Sequence, residues 1–176
     1  MNIFFIGVGS NLGDPFENCR NAVASLRSDP DLQKVTVSKY YRTLPVGQQH
    51  QPDFVNAVVK GITRVTVFDV FEKMHRIEDQ FFRTREVKWE PRTLDLDILF
   101  FNHMVYQDEK LTIPHPEIPN RGFVLAPLMD LAPDWIHPAC GDSIRNLYFK
   151  WQKRVQNPEE WIKPLQLLKK RDNSYL

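Results

Sequence analysis

Two helix starts, each built from residues that satisfy unpaired main-chain N–H groups, lie between runs of strand-like residues. That alternation restricts the chain to layered architectures of sheet and helix. Asp14 reads as an N-cap, with Pro15 at the first helical position and Glu17 completing an acidic capping box; Phe16, Cys19, Val23 and Leu26 then share one face. Thr66 and Asp69 repeat the capping-box spacing, and Val67, Val70, Phe71, Met74 and Ile77 form an apolar stripe that predicts a helix to about residue 82. Strands are predicted over residues 2–8, ending in Gly9-Ser10-Asn11, and over 35–41, 54–62 and 94–101. The polar, proline-punctuated loop over 43–53 is long for a hairpin, which marks it as a functional candidate.

Further along, Asn102-His103 predicts a turn into Met104-Val105-Tyr106, as in a hairpin. Residues 113–120 hold Pro114, Pro116 and Pro119 and predict an extended loop. Residues 123–131 are apolar enough for a buried helix, although Pro127 interrupts them. Ile144, Leu147, Tyr148, Trp151 and Val155 have helical spacing after Asp142-Ser143, and a short helix restarts at Asn157-Pro158. No shift in composition marks a boundary. The expectation is a single α/β (α+β) domain, with one sheet of mixed or antiparallel strands covered by helices.

Composition bounds the function. The 176 residues are 42% hydrophobic and 26% charged with a formal net charge of +1, which describes an ordinary globular chain able to bury a full core. Seven glycines and 13 prolines without any repeat exclude collagen-like and largely disordered readings. The balanced charge argues against a general nucleic-acid binder. Apolar stretches such as 98–101 are far shorter than a membrane span, and residues 2–6 lack the basic flank of a signal peptide, so a cytoplasmic location away from membranes is expected. Cys19 and Cys140 have neither metal spacing nor a disulfide framework, and the basic run Lys169-Lys170-Arg171 reads as a solvated end.

The sharpest local feature is Asp95-Leu96-Asp97 inside an otherwise apolar strand. Two carboxylates there are expensive to bury without compensation. Strand alternation puts Asp95, Asp97 and Leu99 on one face and Leu94, Leu96 and Ile98 on the other. Two carboxylates on one face with no nearby His or Cys fit Mg²⁺; carboxylates simply facing water at the sheet end fit the spacing equally. Just upstream, Arg83, Arg85, Lys88 and Arg92 crowd ten residues, opposed by Glu86 and Glu90, and a second basic group (Lys110, His115, Arg121) follows downstream. Cations beside a metal-binding carboxylate pair are what a polyphosphate requires, so together these features point to a nucleotide-phosphate site. There is no Walker-type loop. Gly7, Gly9 and Gly13 miss the dinucleotide-fold spacing by one residue, the kinase signatures are missing, and His50, His75, His103 and His137 read as surface or packing residues.

Six ordered motifs resemble those of the 6-hydroxymethyl-7,8-dihydropterin pyrophosphokinases. They are G-S-N-L-G-D from Gly9, Y-R-T from Tyr41, P-D-F-V-N-A from Pro52, W-E-P-R-T-L-D-L-D-I-L-F from Trp89, I-P-H-P from Ile113 and N-R-G-F-V-L-A-P-L from Asn120. The resemblance runs from about residue 3 to 134. It implies a three-layer α-β-α sandwich with a ferredoxin-like core and a mainly antiparallel sheet, acting in folate biosynthesis as a monomer. It implies transfer of the β,γ-diphosphate of ATP to the pterin hydroxymethyl group with release of AMP. It also implies that Asp95 and Asp97 hold two Mg²⁺ ions, with Arg83 and Arg92 as catalytic arginines. Contacts to ATP would come from Glu78, Arg85, Trp89, Arg92, Ile98, Lys110, Thr112, His115 and Arg121. Phe54 and Phe123 would sandwich the pterin, with Thr43, Pro45, Val46 and Asn56 at its polar edge. Lys88 and Lys110 stand where arginine is common in such proteins, Glu90 where a small residue is usual, and Pro116 where an aromatic is usual. Residues 1–160 are then the catalytic domain and 161–176 an extension. Two other readings of the residues stay open here: a catalytically impaired relative that binds pterin or nucleotide, and a nucleic-acid-binding module built on the basic loop. A nucleotide-sugar transferase using D-x-D is a third.

Overall fold

Nine residues of unbroken strand, Asn2–Ser10 (β1), form the middle of the molecule, with alternate side chains buried on opposite faces. In the computed structural model, which describes residues 1–45, 51–81 and 93–165, helix α1 (Pro15–Ser28) follows. Asp14 caps it by accepting from the Glu17 N–H, while the Glu17 carboxylate meets Arg20 at 2.7 Å instead of closing a capping box. Next come β2 (Leu32–Val37), β3 (Tyr41–Thr43), β4 (Phe54–Thr63) and α2 (Val67–Gln80). Here both halves of the Thr66–Asp69 capping box are present. The order continues with β5 (Asp95–Phe101), β6 (Tyr106–Gln107), β7 (Thr112–Ile113), a 3₁₀ turn (Ile118–Asn120), α3 (Gly122–Leu131), α4 (Ile144–Arg154), α5 (Pro158–Trp161) and β8 (Ile162–Pro164).

The main sheet runs β5-β1-β4-β3-β8, with β2 beside the second half of β4, and every pairing is antiparallel. The β5-β1-β4-β2 segment, with α1 and α2 on one face, is the expected ferredoxin-like core. One core layer lies under α1 and α2, including Phe4, Ile6, Leu26, Val70 and Met74. The other lies under α3 and α4, including Phe5, Leu99, Phe100, Leu125 and Trp151. The sandwich therefore has three layers, helices on both sides of the sheet.

Three expectations change. The strand predicted over 35–41 is two strands along one edge of β4. They part at Ser38, whose hydroxyl accepts the Val58 N–H and so takes the place of a ladder bond. Met104-Val105-Tyr106 does not return on β5 as a hairpin; β6 pairs instead with β7 in a separate two-stranded sheet. The proline-rich stretch 113–120 begins extended, with a cis Ile113–Pro114 bond, and ends in the 3₁₀ turn. Pro127 is accommodated inside α3. Among the described residues no helix is long and apolar enough to cross a membrane.

Candidate active site

The register of the central strands sets the site. Gly9 of β1 pairs with Asp95 of β5 on one side and Asn56 of β4 on the other, so Asp95, Gly9 and Asn56 form a row across three strands. At a strand spacing of about 4.8 Å, the ends of that row are about 10 Å apart. The next row on the same face is Asp97, Gly7 and Val58. Glycine at positions 7 and 9 leaves the floor between the acids and Asn56 without side chains. A Cβ at Gly9 would lie 2.8 Å from Asn56 Oδ1, whereas one at Gly7 would make only ordinary contacts with Leu99. The glycine spacing that superficially suggested a dinucleotide loop thus serves a bare strip of sheet, and Gly13, at φ +63°, serves the turn into α1.

On the acidic side, Asp97 Oδ2 lies 4.0 Å from both His115 Nε2 and Arg121 Nη1. The aspartates stay on the expected face: Leu96 and Ile98 enter the α1/α2 core, Leu99 the opposite one. Between Phe5/Phe100 and Ile6/Ile98 the ladder shifts by a residue, and Leu99 is the extra one. Its carbonyl accepts the His115 N–H at 3.1 Å, which ties the downstream loop to the acidic strand. His115 Nδ1 accepts the Glu117 N–H, so in the neutral ring the proton sits on Nε2, toward Asp97. Burial, then the adjacent Arg121 charge, pushes the His115 pKa down to about 4, so the ring is neutral near pH 7.

The start of β5 is pinned from two sides. The Thr93 carbonyl accepts from Ser10 Oγ at 2.5 Å and from Asn18 Nδ2 at 3.2 Å. Glu78, 1% exposed, accepts the Leu96 N–H at 2.9 Å and meets His75 Nδ1 at 3.0 Å. Sequence reasoning missed Ser10 and Asn18 as site-building residues, because both act through the Thr93 carbonyl, which is far from them in the sequence. Glu78 was expected at the nucleotide, but its buried carboxylate is a bracket on the acidic strand.

On the opposite side, Asn56 Nδ2 donates to Thr43 Oγ1 at 2.7 Å, and Thr43 is 3% exposed. That bond fixes the amide, with its oxygen over the Gly9 side. Phe54 is half-buried on the same strand, Pro45 is half-buried after Thr43, and Phe123 is half-buried in the first turn of α3. The Arg121 guanidinium carbon lies 5.7 Å from the Phe123 ring centroid. A Cβ at Gly122 would overlap the Trp151 indole, so α4 sets the depth at which α3 begins.

Structure therefore brings together Asp95, Asp97, His115 and Arg121 at one end of the strip and Thr43, Phe54 and Asn56 at the other. The Ile98 side chain is 4% exposed in the α1/α2 core, which leaves its main chain to meet a ligand. Thr112 belongs to β7, and Lys110 lies in the turn that joins β6 to β7; Lys110 is exposed, with its N–H donated to Asp108. Val46, Arg83, Arg85, Lys88, Trp89, Glu90 and Arg92 lie outside the described residues.

A family model described as 7,8-dihydro-6-hydroxymethylpterin-pyrophosphokinase (HPPK) matches residues 5–133. A 2-amino-4-hydroxy-6-hydroxymethyldihydropteridine pyrophosphokinase of Haemophilus influenzae is 40% identical over 134 residues, covering 76% of this chain and 84% of that protein. The Bacillus subtilis protein of the same name is 44% identical over 130 residues, covering 74% and 78%. Among solved structures, a wild-type Plasmodium falciparum HPPK-DHPS chain with pterin and p-hydroxybenzoate superposes with a TM-score of 0.75 at 19% identity. It covers 95% of this chain, which spans about half (47%) of the length of that one, and the likeness concerns the fold. With both ends of the glycine strip falling inside the matched segment, the chain belongs to the 7,8-dihydro-6-hydroxymethylpterin-pyrophosphokinase family.

Proposed function

We propose that the protein transfers the β,γ-diphosphate of ATP to the hydroxymethyl group of 6-hydroxymethyl-7,8-dihydropterin, releasing AMP, as a step of folate biosynthesis. The observation that carries this reading is the bare strip of sheet with carboxylates at one end and the Thr43-anchored Asn56 amide at the other. Its length of about 10 Å suits a flat heterocycle reaching toward a metal-bound polyphosphate.

Asp95 and Asp97 offer hard oxygen donors, and among the described residues no group of three or more His, Cys, Asp or Glu forms a closed metal cage. That donor set fits Mg²⁺, which is commonly held by one or two carboxylates, with substrate phosphates and water completing the shell. Two Mg²⁺ ions on Asp95 and Asp97 would neutralise the triphosphate and acidify the attacking hydroxyl. His115 would donate its Nε2–H to a phosphate oxygen while remaining uncharged, and Arg121 would add a fixed positive charge beside it. Arg83 and Arg92, with Arg85 and Trp89, would contribute from the segment that precedes β5 in the sequence, and Lys110 and Thr112 from the β6–β7 side. The pterin would lie between Phe54 and Phe123, with Asn56, Thr43, Pro45 and Val46 at its polar edge, gaining two stacking faces and a directional amide. Most of the catalysis then comes from positioning and electrostatics.

The same reading takes residues 1–160 as the catalytic unit and 161–176 as an extension whose first residues add β8 to the main sheet. It makes the protein a cytoplasmic monomer whose partners are these two small molecules, with no nucleic acid or membrane partner. The test is a mass-spectrometric assay with ATP, Mg²⁺ and 6-hydroxymethyl-7,8-dihydropterin. AMP and a diphosphorylated pterin in equal amounts are expected; ADP, or no pterin product, would overturn the assignment.

A further inference from the structure

The family match ends at residue 133, yet a strand well beyond it completes the wall of the proposed pterin cleft. Strand β8 pairs antiparallel with β3, setting Ile162 opposite Thr43, Lys163 opposite Arg42 and Pro164 opposite Tyr41. The Leu44 N–H donates to the Trp161 carbonyl at 3.1 Å, and the Leu165 N–H donates to the Tyr40 carbonyl at 2.8 Å. In an antiparallel ladder these bonds make 44/161, 42/163 and 40/165 the hydrogen-bonded pairs. Thr43 and Ile162 are then a non-hydrogen-bonded pair, the kind whose side chains stand closest.

Without β8, β3 would be a three-residue edge with one partner, and Thr43 would sit on an open margin. Thr43 is the residue whose hydroxyl holds the Asn56 amide. Ile162 also packs into the α3/α4 core layer to which Phe123 belongs, and β8 lies against α3. One short strand thus braces the β3–β4 wall and approaches the helix that carries the opposing aromatic.

We propose that β8 is the side wall of the pterin cleft and that Ile162 is a positioning residue that sets pterin affinity through Thr43 and Asn56. This rests on the function proposed above. Ile162 touches neither reacting atom; it keeps the Thr43 hydroxyl under the amide and keeps water from competing for it.

The test uses the full chain with Ile162→Ala, which trims the side chain, Ile162→Val, which nearly restores it, and Lys163→Pro, which removes a ladder N–H. Three readouts are compared: KM for 6-hydroxymethyl-7,8-dihydropterin, the Kd of a non-hydrolysable ATP analogue with Mg²⁺, and hydrogen exchange at the Leu44 amide. Losing the equivalent of one hydrogen bond predicts a rise of about fivefold in pterin KM for Ile162→Ala and Lys163→Pro. Analogue affinity should change less than twofold, Leu44 exchange should speed up, and Ile162→Val should stay close to the parent protein. Unchanged pterin KM together with faster Leu44 exchange would overturn the proposal. So would parallel losses of pterin and nucleotide affinity, which would mark β8 as a general stabiliser. If the unaltered chain bound no pterin at all, the functional reading itself would fall, a result separable from either of these.

Discussion

Gly9→Ala should damage substrate binding out of proportion to its size, and Gly7→Ala is its internal control. Both glycines lie on the same face of β1, two residues apart, on the floor between the acids and Asn56. At Gly9 the added carbon would lie 2.8 Å from Asn56 Oδ1, closer than side-chain carbons approach their neighbours, so the amide must move. Asn56 is 8% exposed and tied to Thr43 at 2.7 Å, so moving it costs part of that hydrogen bond, about 1 kcal/mol, plus overpacking of about 1–2 kcal/mol. At Gly7 the nearest atoms would be Leu99 Cδ2 at 3.5 Å and the Asp97 carbonyl oxygen at 3.8 Å, ordinary contacts that cost little. Urea unfolding should therefore show Gly9→Ala destabilised by about 2–3 kcal/mol and Gly7→Ala by less than about 1 kcal/mol. Displacing the amide by even a fraction of its hydrogen-bond length should raise pterin KM about tenfold or more in the position-9 variant. A position-9 variant with parental KM for the pterin would refute the placement of substrate over the strip, whatever its stability.

Other expectations follow from the same geometry. Asp97→Ala should lose at least about a thousandfold in turnover with its melting temperature within a few degrees of the parent, because the side chain is 41% exposed; near-parental turnover, read by AMP release, would exclude the two-metal arrangement. Phe123→Ala should weaken pterin binding by about tenfold, with a smaller effect on nucleotide, as measured by titration calorimetry. Glu78→Ala should lower turnover without changing pterin KM, since it strands the Leu96 N–H on the acidic strand at a cost of about 1–3 kcal/mol; an unchanged rate and stability would show that the bracket is dispensable. Stability should also depend on pH. His115 has a folded-state pKa lowered to about 4, and burial lowers that of His137 as well, so between pH 6.5 and about 4 the unfolded chain binds more protons than the folded one. The contribution is fully present above pH 6.5 and is lost as pH falls through that window, reaching at most about 3 kcal/mol for His115. Urea unfolding at pH 7 and pH 4.5 should show the decline, and His115→Gln should make it shallower.

Elements with local signatures are legible in the sequence. The Thr66–Asp69 box requires only main-chain N–H groups within one helical turn, so its meaning does not depend on the rest of the molecule. Likewise, the period of two in a strand was enough to put Asp95 and Asp97 on the face shared with Leu99. What escaped the sequence depends on long-range pairing. Ser38 breaks the strand predicted over 35–41 through a bond to Val58, 20 residues away, which no local pattern encodes. Residues 104–106 lead into a strand that pairs with β7 instead of β5, a partner that no local pattern encodes. Asn18 looks like any half-exposed polar residue of a helix until the Thr93 carbonyl, 75 residues later, comes within reach. Ile162 is equally silent: three residues of strand after a four-residue helix carry too little period to predict either a pairing or its partner. The resemblance to a known family supplied the residues proposed for both walls of the cleft, while the register explains why glycine stands at position 9 between them.

Replacing Mg²⁺ with Mn²⁺ in the presence of a non-hydrolysable ATP analogue locates the metal relative to the glycine strip through paramagnetic broadening in the amide and side-chain NMR spectrum. Strong broadening is expected at Gly7 and Gly9, and clear broadening of the Asn56 side-chain amide, about 10 Å from Asp95 along its row. Resonances of α1 residues such as Arg20 should be much less affected. Broadening that left Gly7, Gly9 and Asn56 sharp while appearing elsewhere on the molecule would contradict a metal held by Asp95 and Asp97.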